Sequence, residues 1–223
     1  MKTIKTIEEL KDALAKPESL FLKQEQKFLD FAKDLMCNFQ IEKGDKRYWM
    51  TEIEFYVYTD EHRDIITYPR NCPAGMWFFH ASGVDISFAS KVVTKEHPIT
   101  HKQKPYLDKT AVFGGILIRG IVLDIEGADP IDGPIKVCDE LFDQFDAFGK
   151  PTHFPQIVPA NEERKVKLEK GLLRKGFNSD DEKKVLSILK YNYSGYDEKA
   201  LTEEKLIERY KHFREEGLYR FKA

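Results

Sequence analysis

RYWMTEIEFYVY, residues 47–58, is the stretch on which the fold turns. Side chains on a strand point alternately to opposite faces. A strand over these residues places Trp49, Ile53, Phe55 and Val57 on one face, the expected core side. Met50, Glu52, Glu54, Tyr56 and Tyr58 fall on the other. Two carboxylates and two phenols thus share one side of an otherwise apolar strand. A carboxylate beside an aromatic ring offers an acid or base next to a surface on which a flat group can stack. The same pattern also fits a strand with one solvated face.

The flanking segments read as a single mixed domain. The 223 residues suit one globular unit, and 41% hydrophobic content is enough for a sizeable core. Residues 1–46 read as a helical scaffold. Thr6 and Glu9 form a capping-box pattern ahead of a short helix that ends at Pro17, and a longer amphipathic helix spans 18–38. Residues 59–75 are polar and hold two prolines and a glycine, which predicts a loop. Residues 76–88, MWFFHASGVDISF, predict a hairpin turning at Ser82-Gly83. Residues 111–123, AVFGGILIRGIVL, predict a buried strand interrupted by Arg119. A guanidinium is almost never fully buried unpaired, so Arg119 requires a carboxylate or a cavity. Residues 151–160 hold three prolines and read as a linker. Helices are expected over 161–175, after Ser179, and from Thr202 to the start of a closing LYRFKA strand.

Charge narrows the possibilities only locally. The net charge is -2, with 33% charged residues. Residues 91–109 carry five lysines and two histidines against two acids, whereas residues 124–146 carry eight acids against Lys136 alone. Three cysteines, Cys37, Cys72 and Cys138, lack metal-type spacing and fit a reducing compartment. The amino terminus has no apolar signal-type region, and no run approaches a membrane span, so a cytoplasmic protein is expected. Gly114-Gly115 lacks the spacing of a phosphate loop. His97 and His101 stand four apart, but Pro98 lies between them, and no metal site is expected.

Taken in order, the chain presents TEIEFY (51–56), DEHRD (60–64), YPRN (68–71), an aromatic hairpin, ILIRG (116–120) and DGPIKVCDEL (132–141). This series resembles the alkyladenine (3-methyladenine) DNA glycosylase family of the vertebrate type. That family carries a TE-x-E-A-Y strand, a downstream His, a T-P-R-N segment, a Tyr-rich hairpin, a V-L-L-R-A strand and an S-G-P-x-K-L-C helix start. The likeness covers residues 48–142, with an echo in LYRF at 218–221.

The resemblance implies an α+β fold: one domain with a curved, mainly antiparallel sheet flanked by helices, with a helical amino terminus (1–46), a core (47–146) and a helical carboxy-terminal part (147–223). It implies a metal-free and cofactor-free hydrolase that flips a damaged purine out of double-stranded DNA and cuts its N-glycosidic bond. Glu54 would activate the water, with Arg119 holding both. Tyr56, His62 and Asp85 would contact the base. Arg70, Asn71, Phe79, His80 and Lys136 would contact DNA. Hydrolysis of this bond builds positive charge at the sugar, which a neighbouring carboxylate stabilises. A damaged base is also cheaper to extrude. The sequence departs from the family at Phe55, where the family has Ala, in a shortened stretch between Tyr56 and His62, and at Asp85, where the family has Asn. The tyrosine that the family wedges into the duplex has its nearest counterparts in Phe79 and His80. Two further classes therefore stand beside the glycosylase: a hydrolase of small nucleosides or glycosides, and a non-catalytic nucleic-acid-binding module.

Overall fold

A computed structural model describes residues 3–17, 25–96, 101, 103–143, 153–168, 171–174, 182–192, 202–215 and 217–223. The long strand β2 (Lys46–Tyr58) lies at its centre. Sheet order is β3-β4-β7-β2-β1-β9, with β3 at Trp77–His80, β4 at Gly83–Ser87, β7 at Phe113–Leu123, β1 at Phe39–Lys43 and β9 at Gln156–Pro159. Every pairing is antiparallel. On the other edge of β2, β10 (Arg220–Lys222) follows β1 in the same lane, and β8 (Ile131–Asp132) follows β4 beside β7. The sheet is curved, and helices flank it, so the α+β class holds. The helices are α1 (Ile7–Leu14), α2 (Glu25–Asn38), α3 (Pro134–Leu141), α4 (Glu182–Asn192) and α5 (Glu203–Glu215).

A β-bulge determines which residues of β2 face the core. The β2–β7 register shifts between Met50 and Ile53. The same register resumes beyond this irregularity, so both strands break alternation together and exchange faces, with Met50 and Ile121 in the core on one side of it and Ile53 and Ile118 on the other. Before the bulge, Tyr48 and Met50 are buried in the main core, while Trp49 is only half-buried and donates its indole N–H to Asp124 (2.7 Å). After it, Ile53, Phe55 and Val57 take the core side. Strict alternation had put Trp49 in the core and Met50 opposite; the bulge reverses both. Phe28 and Phe31 of α2 pack on Phe55 at ring separations of 4.9 and 5.8 Å, so this large ring fills the core rather than the site.

The other face of β2 is not solvated. Tyr58, Ile65, Ile66 and Phe113 form a second apolar cluster with Val185 and Leu189 of α4 and Leu206 and Tyr210 of α5. Glu54 is consequently fully buried. Close approach of β7 is possible because position 114 has no side chain: a Cβ on Gly114 would lie 2.1 Å from the backbone oxygen of Tyr56.

Several boundaries differ from expectation. The scaffold of 1–46 is not wholly helical, since β1 pairs with β2. Residues 151–160 are not merely a linker, because Gln156–Pro159 adds an edge strand to β1. The described part of 161–175 is not helical, and its Leu172 forms an isolated bridge with Arg220. The basic segment 91–109 forms a two-stranded ribbon, β5 (Val93–Glu96) with β6 (Gln103–Tyr106). The capping box at Thr6 is present, and Thr202 caps α5. Ser179 and His97 lie outside the described residues.

Candidate functional site

Cross-strand register builds the site. Arg220 of β10 pairs with Glu54 of β2, Glu54 with Leu117 of β7, Leu117 with Asp85 of β4, and Asp85 with Phe78 of β3. Directly paired residues on neighbouring strands share a face. One row across five strands therefore points Arg220, Glu54, Leu117, Asp85 and Phe78 toward the second apolar cluster. Tyr56 and Arg119 flank this row.

Arg119 finds the carboxylates that its apolar strand demanded. Its Nε donates to Glu52 at 3.0 Å and its Nη1 to Glu54 at 3.3 Å. The Tyr56 hydroxyl donates to the same Glu54 oxygen at 2.7 Å. Glu52, 3% exposed, also accepts from Arg220 at 3.3 Å and has Lys222 at 3.9 Å. Each buried carboxylate thus has a cation within 3.3 Å, which offsets the large cost of an unpaired buried charge. Burial pushes the Tyr56 phenol well above its ordinary range, and the Glu54 charge pushes in the same direction. Tyr56 is therefore held as a hydrogen-bond donor.

A second charged group stands at the other end of the row. Asp85 accepts from Arg70 Nη2 at 2.7 Å and from His80 Nε2 at 2.9 Å. The Ser82 backbone N–H donates to His80 Nδ1, which fixes the ring proton on Nε2. Burial pushes the Asp85 carboxyl up, but the His80 hydrogen bond and the Arg70 charge outweigh it and hold the group below the usual carboxylate range.

Between these two groups lies a pocket of about 40 Å³. Tyr56, Leu117, Arg119 and Asp85 reach it from the sheet. Ile66, Tyr68 and Arg70 reach it from the loop after β2, and His80 and Ser82 from the hairpin. This volume holds water molecules rather than a purine ring. Glu54 does not line it; Tyr56 and Arg119 stand between the carboxylate and the space. The outer walls are Tyr68 of the loop after β2, His80 at the end of β3 and Ser82 at the hairpin turn, so a ring enters only if Tyr68 and the turn move aside.

Arg174, in the segment read as a basic helix, lies behind Tyr56. Its Nη1 and Nη2 donate to Asp64 at 2.6 and 3.2 Å, and Nη1 also reaches the Phe55 carbonyl. The guanidinium covers the Tyr56 ring at 4.7 Å and the Tyr219 ring at 5.2 Å. It locks the ring that borders the pocket. No periodicity marks a single long-range ion pair, so only the composition of 161–175 was legible.

The expected site residues separate into groups. Tyr56, Arg119 and Asp85 line the pocket, and Glu54 and Glu52 lie behind it on Arg119. His62 does not line it; it packs edge-on against Tyr219 at 5.5 Å, and burial lowers its imidazole below the ordinary range. Arg70, expected to contact DNA, has a side chain only 2% exposed and belongs to the pocket wall instead. His80 likewise turns inward to Asp85. Phe79 is 50% exposed, on the opposite face of the hairpin, where it meets Phe142 at 4.7 Å. The Asn71 side-chain oxygen accepts from the Val92 N–H at 2.7 Å, tying the pocket wall to the root of the basic ribbon. Lys136 is exposed at the start of α3. The acids of 124–143 are partly engaged at the far end of the sheet: Asp124 with Gln40 and Trp49, Glu140 with Tyr48, and Asp143 with Lys43. Among the described residues, no cluster of His, Cys, Asp or Glu could hold a metal ion, and no helix is long and apolar enough to cross a membrane.

No protein-family model matches the chain, and no curated protein or solved structure matches it either.

Proposed function

We propose that the chain is a monofunctional DNA glycosylase that hydrolyses the N-glycosidic bond of a damaged, flipped-out purine. The observation that carries this reading is that Arg119, which lines the pocket bordered by Tyr56, contacts both Glu52 and Glu54 directly behind it. A carboxylate in this position can take a proton from water and stabilise positive charge growing on the sugar. Arg119 compensates that carboxylate before the reaction begins. Tyr56, with one ring face held by Arg174, offers a planar border to the base. Neither a metal nor a lysine Schiff base is needed for this chemistry. Double-stranded DNA would meet the basic ribbon at β5–β6, which is tied to the pocket wall through Asn71. Such a protein would work in the cytoplasm, on the cell's DNA.

A second reading keeps the bond and changes the substrate to a small nucleoside. The narrow pocket and the inward turn of His80, which removes one of the two wedge candidates, favour it. The two readings separate in one assay. Duplex DNA carrying hypoxanthine or 3-methyladenine is incubated with the protein, and free base is followed by chromatography beside the corresponding nucleosides. The glycosylase reading predicts release from the duplex and an abasic strand. Cleavage of nucleosides alone, with every damaged duplex intact, would overturn it in favour of the second.

A further inference from the structure

Arg70 has more hydrogen-bonding capacity than its surroundings use. Its Nη2 is committed to Asp85, and its Nε reaches the Tyr68 carbonyl at 3.4 Å. Its guanidinium lies over the Phe78 ring, 3.8 Å from the centroid. Nη1 is buried and has no hydrogen-bond partner among the described residues. The side chain is 2% exposed and lines the pocket. A buried donor without an acceptor is costly, and one that borders a pocket gains its acceptor from whatever enters.

The charge of the surroundings selects the kind of acceptor. Asp85 already balances Arg70, and His80 with its proton on Nε2 adds no net charge. An anion would bring an uncompensated charge into this neutral pair, whereas a carbonyl oxygen would not. An amino group in the same place would set donor against donor.

We propose that Arg70 is a specificity-determining residue that selects ring substrates bearing a carbonyl oxygen over their amino counterparts. The inference rests on the pocket being the base site of the proposed glycosylase, and it narrows the substrate to oxo rings. Arg70 donates Nη1–H to the ring oxygen, and Asp85 holds the guanidinium in the plane required. Phe78 supports its face from below.

The test measures binding rather than turnover, so its failure can be told from failure of the glycosylase reading. Inosine and adenosine differ at this position by oxygen against an amino group, and uridine and cytidine differ in the same way. Dissociation constants for the four nucleosides are measured by titration calorimetry, with ligand-observed NMR for weak binding. The oxo member of each pair should bind on the order of tenfold to a hundredfold more tightly. Arg70→Met should abolish the preference. Because Arg70→Met strands the Asp85 carboxylate, the double variant Arg70→Met/Asp85→Asn is measured beside it, with thermal melting to establish folding. It too should lack the preference. Equal binding of oxo and amino members, a preference that persists in the folded double variant, or no binding of any nucleoside would each overturn the assignment. Oxo preference without release of base from any substrate would leave Arg70 in place and remove the glycosylase; release without preference would do the reverse.

Discussion

Glu54→Gln is expected to lower single-turnover release of base by about a hundredfold to ten-thousandfold, the usual contribution of a general base. The variant keeps the shape of the side chain and an oxygen to accept from the Tyr56 hydroxyl, which is 2.7 Å away in the wild type. Arg119 retains Glu52 at 3.0 Å, so the floor of the pocket keeps a compensated charge. The fold should therefore survive, with a melting temperature within a few degrees of the wild type. The loss should fall on kcat with little change in KM, because the group acts on the water and not on substrate binding. Glu52→Gln makes the comparison informative. Glu52 gathers Arg119, Arg220 and Lys222, so its loss should weaken stability more than Glu54→Gln does. Full activity in Glu54→Gln with the loss confined to Glu52→Gln would exchange their roles.

Arg174→Met should produce the largest loss of stability. Arg174 and Asp64 are both almost wholly buried, with side chains 2% and 0% exposed. The charge of Asp64 holds the guanidinium above its ordinary range although burial alone would lower it. Removing one partner of a buried pair leaves the other uncompensated and costs about 3–5 kcal/mol. For a chain of this size the melting temperature should drop by roughly 6–20 °C. The double variant Arg174→Met/Asp64→Asn should recover much of the loss, since no buried charge then remains alone. A melting temperature unchanged in Arg174→Met would show that the pair contributes nothing. Because the guanidinium also covers Tyr56, activity should fall even below the melting range.

Much of the site was legible because its residues break local rules. Arg119 in an apolar run required a carboxylate, and Glu52 and Glu54 on the long strand were the candidates. The bulge in β2 was not legible, since no glycine or proline marks Thr51 and alternation simply continues through it on paper. Its consequence, the exchange of Trp49 and Met50, followed. Phe39–Lys43 was left without a strand of its own inside the helical scaffold of 1–46, because the chain passes from α2 to β1 without an intervening turn. The prolines of 151–160 suggested a linker, yet an edge strand tolerates proline where no ladder hydrogen bond is required. Arg70 was assigned to DNA by its place in a motif. Its burial depends on Asp85, fifteen residues away and visible only once the hairpin is folded back.

The central claim is that a glycosidic bond is held beside Glu54 and Arg119, in the pocket bordered by Tyr56. The most direct measurement is a crystal structure of Glu54→Gln with inosine bound. The account predicts the ring between Tyr56 and the wall formed by Tyr68 and His80, with the anomeric carbon of the sugar turned toward position 54. Inosine seated elsewhere, for example in the apolar groove of about 350 Å³ beside Trp77 and Phe154, would contradict it.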